Sequence, residues 1–162
     1  MKALIVYASW FGHNRAVARL VAAELARRGF SVTGAPAARV GAADIAGCDV
    51  LVLGTYTHNG RASQRLRALC ESIPRRTFDH VEVALFGTQI DQNRQGSLPG
   101  GVHDLETCLA ERGVDLALPP LLIGLSRAAA FLPWLGIGPD ERRRIAAFAD
   151  DLWEASMPEP MI

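Results

Sequence analysis

Lysine is all but missing from this chain: Lys2 is the only one, so nearly all of the positive charge sits on arginine. The 17 Lys+Arg are balanced by 17 Asp+Glu, and the formal net charge is zero. Without a basic surplus there is no electrostatic footprint for nucleic acid or for an anionic membrane surface as a partner. No apolar run approaches the length of a membrane span, and Met1 leads directly into a strand-like segment that leaves no room for a secretory leader, so the cytoplasm is the expected location. Cysteine is scarce too. Cys48, Cys70 and Cys108 are odd in number and lie in neither C-x-x-C nor metal-ligand spacing, which reads as free thiols in or beside the core. His13, His58, His80 and His103 are equally scattered, and no metal site is legible. Two phosphate-binding signatures, G-x-G-x-x-G and G-x-x-x-x-G-K-[ST], are absent, excluding the common dinucleotide and nucleoside-triphosphate loops.

What is present begins at Lys2–Leu25. Lys2 to Ala8 is a short apolar run rich in β-formers, Ser9–Asn14 breaks it, and from Arg15 the apolar residues Val17, Leu20, Val21 and Leu25 recur at helical spacing. In a strand–turn–helix unit of this kind the turn sits at the carboxyl edge of the sheet. The helix then aims free N–H groups and the positive end of its dipole at whatever lies there, most simply a phosphate. The pattern repeats along the chain. Strands are predicted at 30–33, 49–54, 81–86 and 116–123, and helices at 63–70, 102–112 and 140–155, the last turning Ile145, Phe148, Ala149 and Leu152 inward. Asp49–Gly54 is apolar on both faces, as a central parallel strand covered by helices must be. With 162 residues, no repeat and no low-complexity linker, the expectation is a single domain over 1–162. Its fold class is α/β, a doubly wound five-stranded parallel sheet in the order 2-1-3-4-5, whose switch point gathers the turns after strands one and three around one crevice, with the turn after strand four beside them.

The segment S-x-F-G-x-N-R, Ser9 to Arg15, resembles the phosphate loop of flavodoxins, with Ser9, Gly12 and Asn14 in register with it. The resemblance extends to the other two turns: Thr55-Tyr56-Thr57-His58 corresponds to the family's second loop, and Gly87-Thr88-Gln89-Ile90-Asp91 to its third. It implies an FMN site made from Ser9, Trp10, Phe11, Gly12, His13 and Asn14 around the phosphate, Thr55 to His58 on one face of the ring, and Gly87, Thr88, Gln89 and Asp91 on the other. Backbone N–H groups, the Ser9 hydroxyl and the Asn14 amide are expected to hold the phosphate, because Phe11 and Asn14 stand where the family has threonines. His58 or Tyr56 stands where the family often has a stacking tryptophan, and 91–102 offers no aromatic for its stacking tyrosine. Trp10 and Tyr56 can compensate, or simply pack at the ends of their strands.

The charge around these loops departs from the acidic rim of many flavodoxins. His13, Arg15, His58, Arg61, Arg65 and Arg94 lie on or beside them, against Asp91, unless the arginines are solvated helix-face residues. Ser126–Gly138 is longer and more apolar than a simple connection, and either folds back over the sheet edge or serves a partner or second subunit. The resemblance implies an electron-transfer flavoprotein with one noncovalent FMN, passing electrons between a reductase and an acceptor enzyme. Two alternatives remain open at this point: an FMN-dependent NAD(P)H, quinone or protoporphyrinogen-type oxidoreductase, and a flavin-free binding module on the same scaffold.

Overall fold

A computed structural model describes residues 1–9, 12–90, 100–125 and 137–158. Five parallel strands form one sheet in the order β2-β1-β3-β4-β5, built from β1 (Lys2–Tyr7), β2 (Ser31–Pro36), β3 (Val50–Tyr56), β4 (Glu82–Ile90) and β5 (Leu121–Leu125). The expected fold class and strand order are those observed. Helices α1 (His13–Arg27) and α5 (Pro139–Ser156) cover one face; α2 (Ala42–Ala46), α3 (Gln64–Ser72) and α4 (Gly100–Glu111) cover the other.

Because side chains alternate along a strand, each central strand feeds two cores. Ala3, Ile5, Val50, Val52, Ala84 and Phe86 pack under α1 and α5, where they meet Val17, Val21, Leu25, Ile145, Phe148 and Leu152. Leu4, Val6, Leu51, Leu53, Val83 and Leu85 pack under α3 and α4 against Leu66, Leu69, Leu105 and Leu109. Full burial of such side chains contributes about 1.5–3 kcal/mol each before entropy is counted, so these two layers fix the strand ends that carry the loops.

Four boundaries differ from the sequence expectation, each for a physical reason. The second strand runs to Pro36, past the apolar stretch at 30–33, because β1 templates it residue by residue from Lys2↔Ser31 to Tyr7↔Pro36. The fifth strand is Leu121–Leu125 instead of 116–123. Leu116 makes only an isolated bridge to Val83 before Pro119 and Pro120, which have no N–H to donate, interrupt the ladder. The Ala/Gly-rich stretch after β2 contains the short helix α2, started where the Gly41 N–H donates to the Asp44 carboxylate at 2.9 Å and anchored by the buried Ile45. Finally β4 continues through the expected third turn, as Gly87, Thr88, Gln89 and Ile90 pair with Leu122, Ile123, Gly124 and Leu125.

Candidate functional site

The three expected turns leave the sheet side by side. Tyr7 pairs with Gly54, Thr55 with Gly87 and Tyr56 with Thr88, so the ends of β1, β3 and β4 are neighbours at the carboxyl edge. The Ala8 N–H extends the β1–β3 ladder by one bond to the Gly54 carbonyl at 3.0 Å. Gly54 lies directly over the Phe86 ring. A Cβ there would sit 2.1 Å from the ring, so glycine is needed for the two strands to approach.

At the first turn, Gly12 is the N-cap of α1 with φ 84°, a left-handed conformation that glycine adopts without steric cost. The helix therefore starts at His13, two residues before its periodicity becomes visible in sequence. His13 is buried and engaged in the protein interior. The Ser9 hydroxyl oxygen is buried and has no hydrogen-bond partner among the described residues. Leaving such a group unmade costs about 1–3 kcal/mol, which points to a ligand acceptor or donor at that place.

Asn14 departs from its expected role. Its side-chain N–H donates to the Ala8 carbonyl at 2.7 Å, and its amide oxygen accepts the Thr88 hydroxyl proton at 2.7 Å. With 1% of its surface exposed, Asn14 is a strut tying the end of β1 to β4. The Thr88 hydroxyl is spent on the same strut. Trp10, Phe11 and Asp91, named from sequence for the first and third turns, lie outside the described residues, as do Arg94 and positions 126–136 of the apolar segment.

The second turn is held from behind. The Thr55 hydroxyl donates to the Tyr56 carbonyl at 3.0 Å and accepts the Ser63 N–H at 3.1 Å, closing the loop on itself. His58 and Arg61 exchange two backbone hydrogen bonds of 3.0 Å across Asn59 (φ 49°) and Gly60 (φ 74°). Positive φ at both central residues is what a two-residue type I′ hairpin requires, and Asn-Gly supplies it. Helix α4 then presses backbone to backbone on this hairpin. The Gly101 N–H donates to the Thr57 hydroxyl oxygen at 3.1 Å, and a Cβ on Gly100 would fall 2.5 Å from the Gly60 carbonyl. Asp104 completes the clamp by accepting the Ala62 N–H at 3.0 Å while pairing with Arg67 at 3.3 Å. Tyr56 is half-buried and His58 exposed at the rim.

Beside the first turn, between it, the end of β2 and the start of α3, lies a cleft of about 640 Å³, lined among others by Tyr7, Ser9, Gly12, Tyr56 and Ser63. Its far wall, Pro36 to Arg39 after β2, was missed in sequence because the switch-point argument considers only the turns after β1, β3 and β4. The end of β2 opens on the same edge. Arg15, Arg39 and Arg65 line this cleft, and no acidic residue among the described ones does.

Thiol chemistry is remote from it. Burial pushes the Cys48 thiol up to about 11 and the Cys70 thiol up to about 12. Desolvation raises Cys108 as well. All three cysteines are buried and free, so each is a protonated core residue at neutral pH. No cluster of metal-ligating side chains occurs among the described residues, and none of the described helices is long and apolar enough to cross a membrane.

A family model for flavodoxin matches residues 5–133, most of the chain. Among solved structures, oxidised flavodoxin 1 from Bacillus cereus is 18% identical and superposes with a TM-score of 0.75, covering 95% of this chain and 98% of its own. A short-chain flavodoxin associated with a non-canonical PDU bacterial microcompartment is 19% identical, with a TM-score of 0.77 and coverage of 97% and 99%. Rubredoxin oxygen:oxidoreductase from the anaerobe Desulfovibrio gigas is 15% identical at a TM-score of 0.74, matching 96% of this chain and 36% of that longer one. At such identities the likeness is one of fold. No curated protein matches the chain in sequence. The local geometry fits a phosphate-bearing cofactor: an orphaned buried hydroxyl at Ser9, a left-handed glycine at Gly12 and the N-terminus of α1 converge beside the β1/β3 switch point. The chain belongs to the flavodoxin family, whose members act with redox partner proteins, and its cofactor is FMN.

Proposed function

We propose that this chain is a one-electron carrier that binds FMN in the crevice between its first, second and third turns and shuttles electrons from a reductase to an acceptor enzyme. The observation that carries the reading is the buried, unpartnered Ser9 hydroxyl beside the left-handed Gly12 at the head of α1. In this reading the Ser9 hydroxyl and the N–H groups of the first turn of α1 hold the phosphate, and Trp10, Phe11 and His13 wall that turn. The Asn14 amide has its hydrogen bonds inside the protein, so it shapes the turn by holding Ala8 to Thr88. Tyr56, Thr57 and His58 flank one face of the ring. Gly87, Thr88, Gln89 and Asp91 flank the other, with Thr55 and Thr88 acting through the backbone they brace.

Bound FMN supplies reversible electron uptake and release, and the protein's part is orientation, electrostatics and exclusion of water. The clamp of Gly100, Gly101 and Asp104 braces the hairpin, which is expected to limit reorganisation of the second loop at each change of charge. Calorimetric titration of the apoprotein with FMN and riboflavin is the test. FMN is expected to bind about 100-fold more tightly or better, and Gly12→Val to weaken FMN far more than riboflavin. Equal affinities for the two ligands would overturn the phosphate turn. Rapid reduction by NAD(P)H alone would replace the carrier with an oxidoreductase.

A further inference from the structure

The cleft continues past the phosphate turn toward the edge of the sheet. From the end of β1 the flavin turns lie on the β3 and β4 side, whereas Pro36, Ala37, Ala38 and Arg39 lie on the β2 side. That arm of the cleft is cationic in an unusual way. Arg15 stands in the first turn of α1 and Arg65 in the first turn of α3, and neither helix has an acidic residue there. A cation at a helix N-terminus opposes the dipole and costs stability, so both positions break a local rule that α5 obeys with Asp140 and Glu141. Arg39 joins them from the 3₁₀ turn after β2 (Ala37–Arg39). None of the three makes an ion pair among the described residues, whereas Arg27, Arg28, Arg67, Arg75, Arg143 and Arg144 each do. A multiply charged anion in the recess reverses every one of these penalties together.

We propose that the arm of the cleft bounded by Arg15, Arg39 and Arg65 is a second anion subsite, next to the FMN phosphate and separate from it, that takes the pyrophosphate or phosphate group of a small molecule. Three arginines bounding one recess, with the N-terminus of α3 beside them, match the several oxygens and multiple charge of a pyrophosphate better than a single carboxylate. The recess is concave, which suits a small ligand. A ligand anchored there lies alongside the flavin turns and brings its remainder over the same carboxyl edge. The assignment rests on the FMN reading only in placing FMN on the Ser9–Gly12 side; the arginine recess stands by itself.

The test uses the FMN-loaded protein and inorganic pyrophosphate as the probe, followed by calorimetry and by chemical shifts of arginine Nε–H groups. Saturable binding to the holoprotein is expected, weakening as salt rises. Arg39→Gln should reduce it about tenfold or more while FMN affinity stays unchanged. ADP in place of pyrophosphate separates the sources: tighter binding identifies a nucleotide ligand, equal binding the bare anion. Pyrophosphate that binds only the apoprotein and competes with FMN would overturn the proposal, because the arginines would then belong to the FMN phosphate. No saturable binding, or binding of a polyglutamate peptide with no binding of pyrophosphate, would overturn it too. Pyrophosphate binding by a chain that fails to take up FMN would sink the carrier reading and leave the subsite standing.

Discussion

On the helices away from the cleft, several arginines find an acid or a carbonyl. Arg28 reaches Glu24 at 2.7 Å and Asp150 at 2.6 Å, so that the end of α1 is tied to α5, and it also donates to the Ala146 carbonyl at 3.1 Å. Arg144 meets Glu141 at 3.0 Å, Arg75 pairs with Asp79, and Arg112 donates to the carbonyls of Glu71 and Ile73. Arg15, Arg39 and Arg65 at the cleft meet no carboxylate among the described residues; Arg19, Arg61 and Arg76 also meet none there but do not line it. Neutral groups show the reverse pattern. The amide of Asn14 and the hydroxyls of Thr55, Thr57 and Thr88 in the turns are satisfied from inside the protein, and the Ser9 hydroxyl is left without a partner among the described residues. A chain of zero net charge thus keeps a local cationic surplus at one edge, mounted on a largely hydrogen-bonded neutral frame in which the Ser9 hydroxyl is the exception. The frame supplies geometry and the unpaired charges are left for ligands.

The largest expected effect comes from breaking the frame. Asn14→Ala strands the Ala8 carbonyl and the Thr88 hydroxyl in a buried place, which is expected to cost about 2–4 kcal/mol of stability in urea unfolding. FMN affinity should fall with it, because the end of β1 is released. A variant of undiminished stability that loses only FMN would show the amide acting on the phosphate directly, and would dissolve the distinction between frame and ligand groups.

Next comes the contrast between a paired and an unpaired arginine. Arg28→Gln should cost about 1–2 kcal/mol, since it removes a half-buried donor from two carboxylates and two carbonyls. Arg39→Gln should change stability by less than about 0.5 kcal/mol. Equal losses would mean that Arg39 is structural and that the comparison fails.

How much of this was legible depends on which force decides each feature. The central strands β1, β3 and β4 and the inward faces of α1 and α5 follow from apolar periodicity, because burial alone selects them. The bounds of β2, α2 and β5 do not. They are set by an edge ladder, by one Asp44 carboxylate and by Pro119-Pro120, and no periodicity encodes the first two. In the site, family resemblance pointed to Gly12 and to the three turns. The inward use of Asn14 was not readable, since it depends on Thr88, 74 residues away in sequence. Arg39 was hidden for the same reason: only the closed sheet brings the end of β2 beside the phosphate turn.

A pH profile sharpens the paired side of the comparison. The hydrogen bond from Arg28 holds the Glu24 carboxyl below its ordinary value of 4.5, and the neighbouring charges of Arg27 and Arg28 act in the same direction against desolvation. A carboxyl whose folded value is depressed stabilises the fold above its unfolded value and loses that contribution as pH falls through the folded one. Wild-type stability should therefore drop below about pH 4.5 more steeply than that of Arg28→Gln, with the gap between them closing in acid. Parallel curves in urea unfolding from pH 7 to pH 3 would show that the pair contributes nothing through ionisation.

The smallest effect probes the unpaired side at a distance. Arg61 sits on the hairpin beside His58, exposed and clamped through Ala62 to Asp104. When a second electron arrives the fully reduced ring gains negative charge, and a nearby guanidinium makes that charge less costly. Arg61→Glu reverses a unit charge to its opposite, so the second one-electron potential should become more negative by some tens of millivolts at low salt. The first potential should move less, because it does not leave the same net charge on the ring. Raising the ionic strength shortens the Debye length to a few ångströms near 1 M and should erase most of the difference, as it does for exposed charges. FMN affinity and urea stability should be unchanged, which separates an electrostatic effect from a disturbed hairpin. Arg61→Gln should give about half the shift of Arg61→Glu, because it removes one charge where the reversal changes two. Potentiometric titration of the three proteins in low and high salt decides the matter: a second potential that ignores the substitution at low salt would place Arg61 with the solvated surface arginines and confine the functional cationic surplus to Arg15, Arg39 and Arg65.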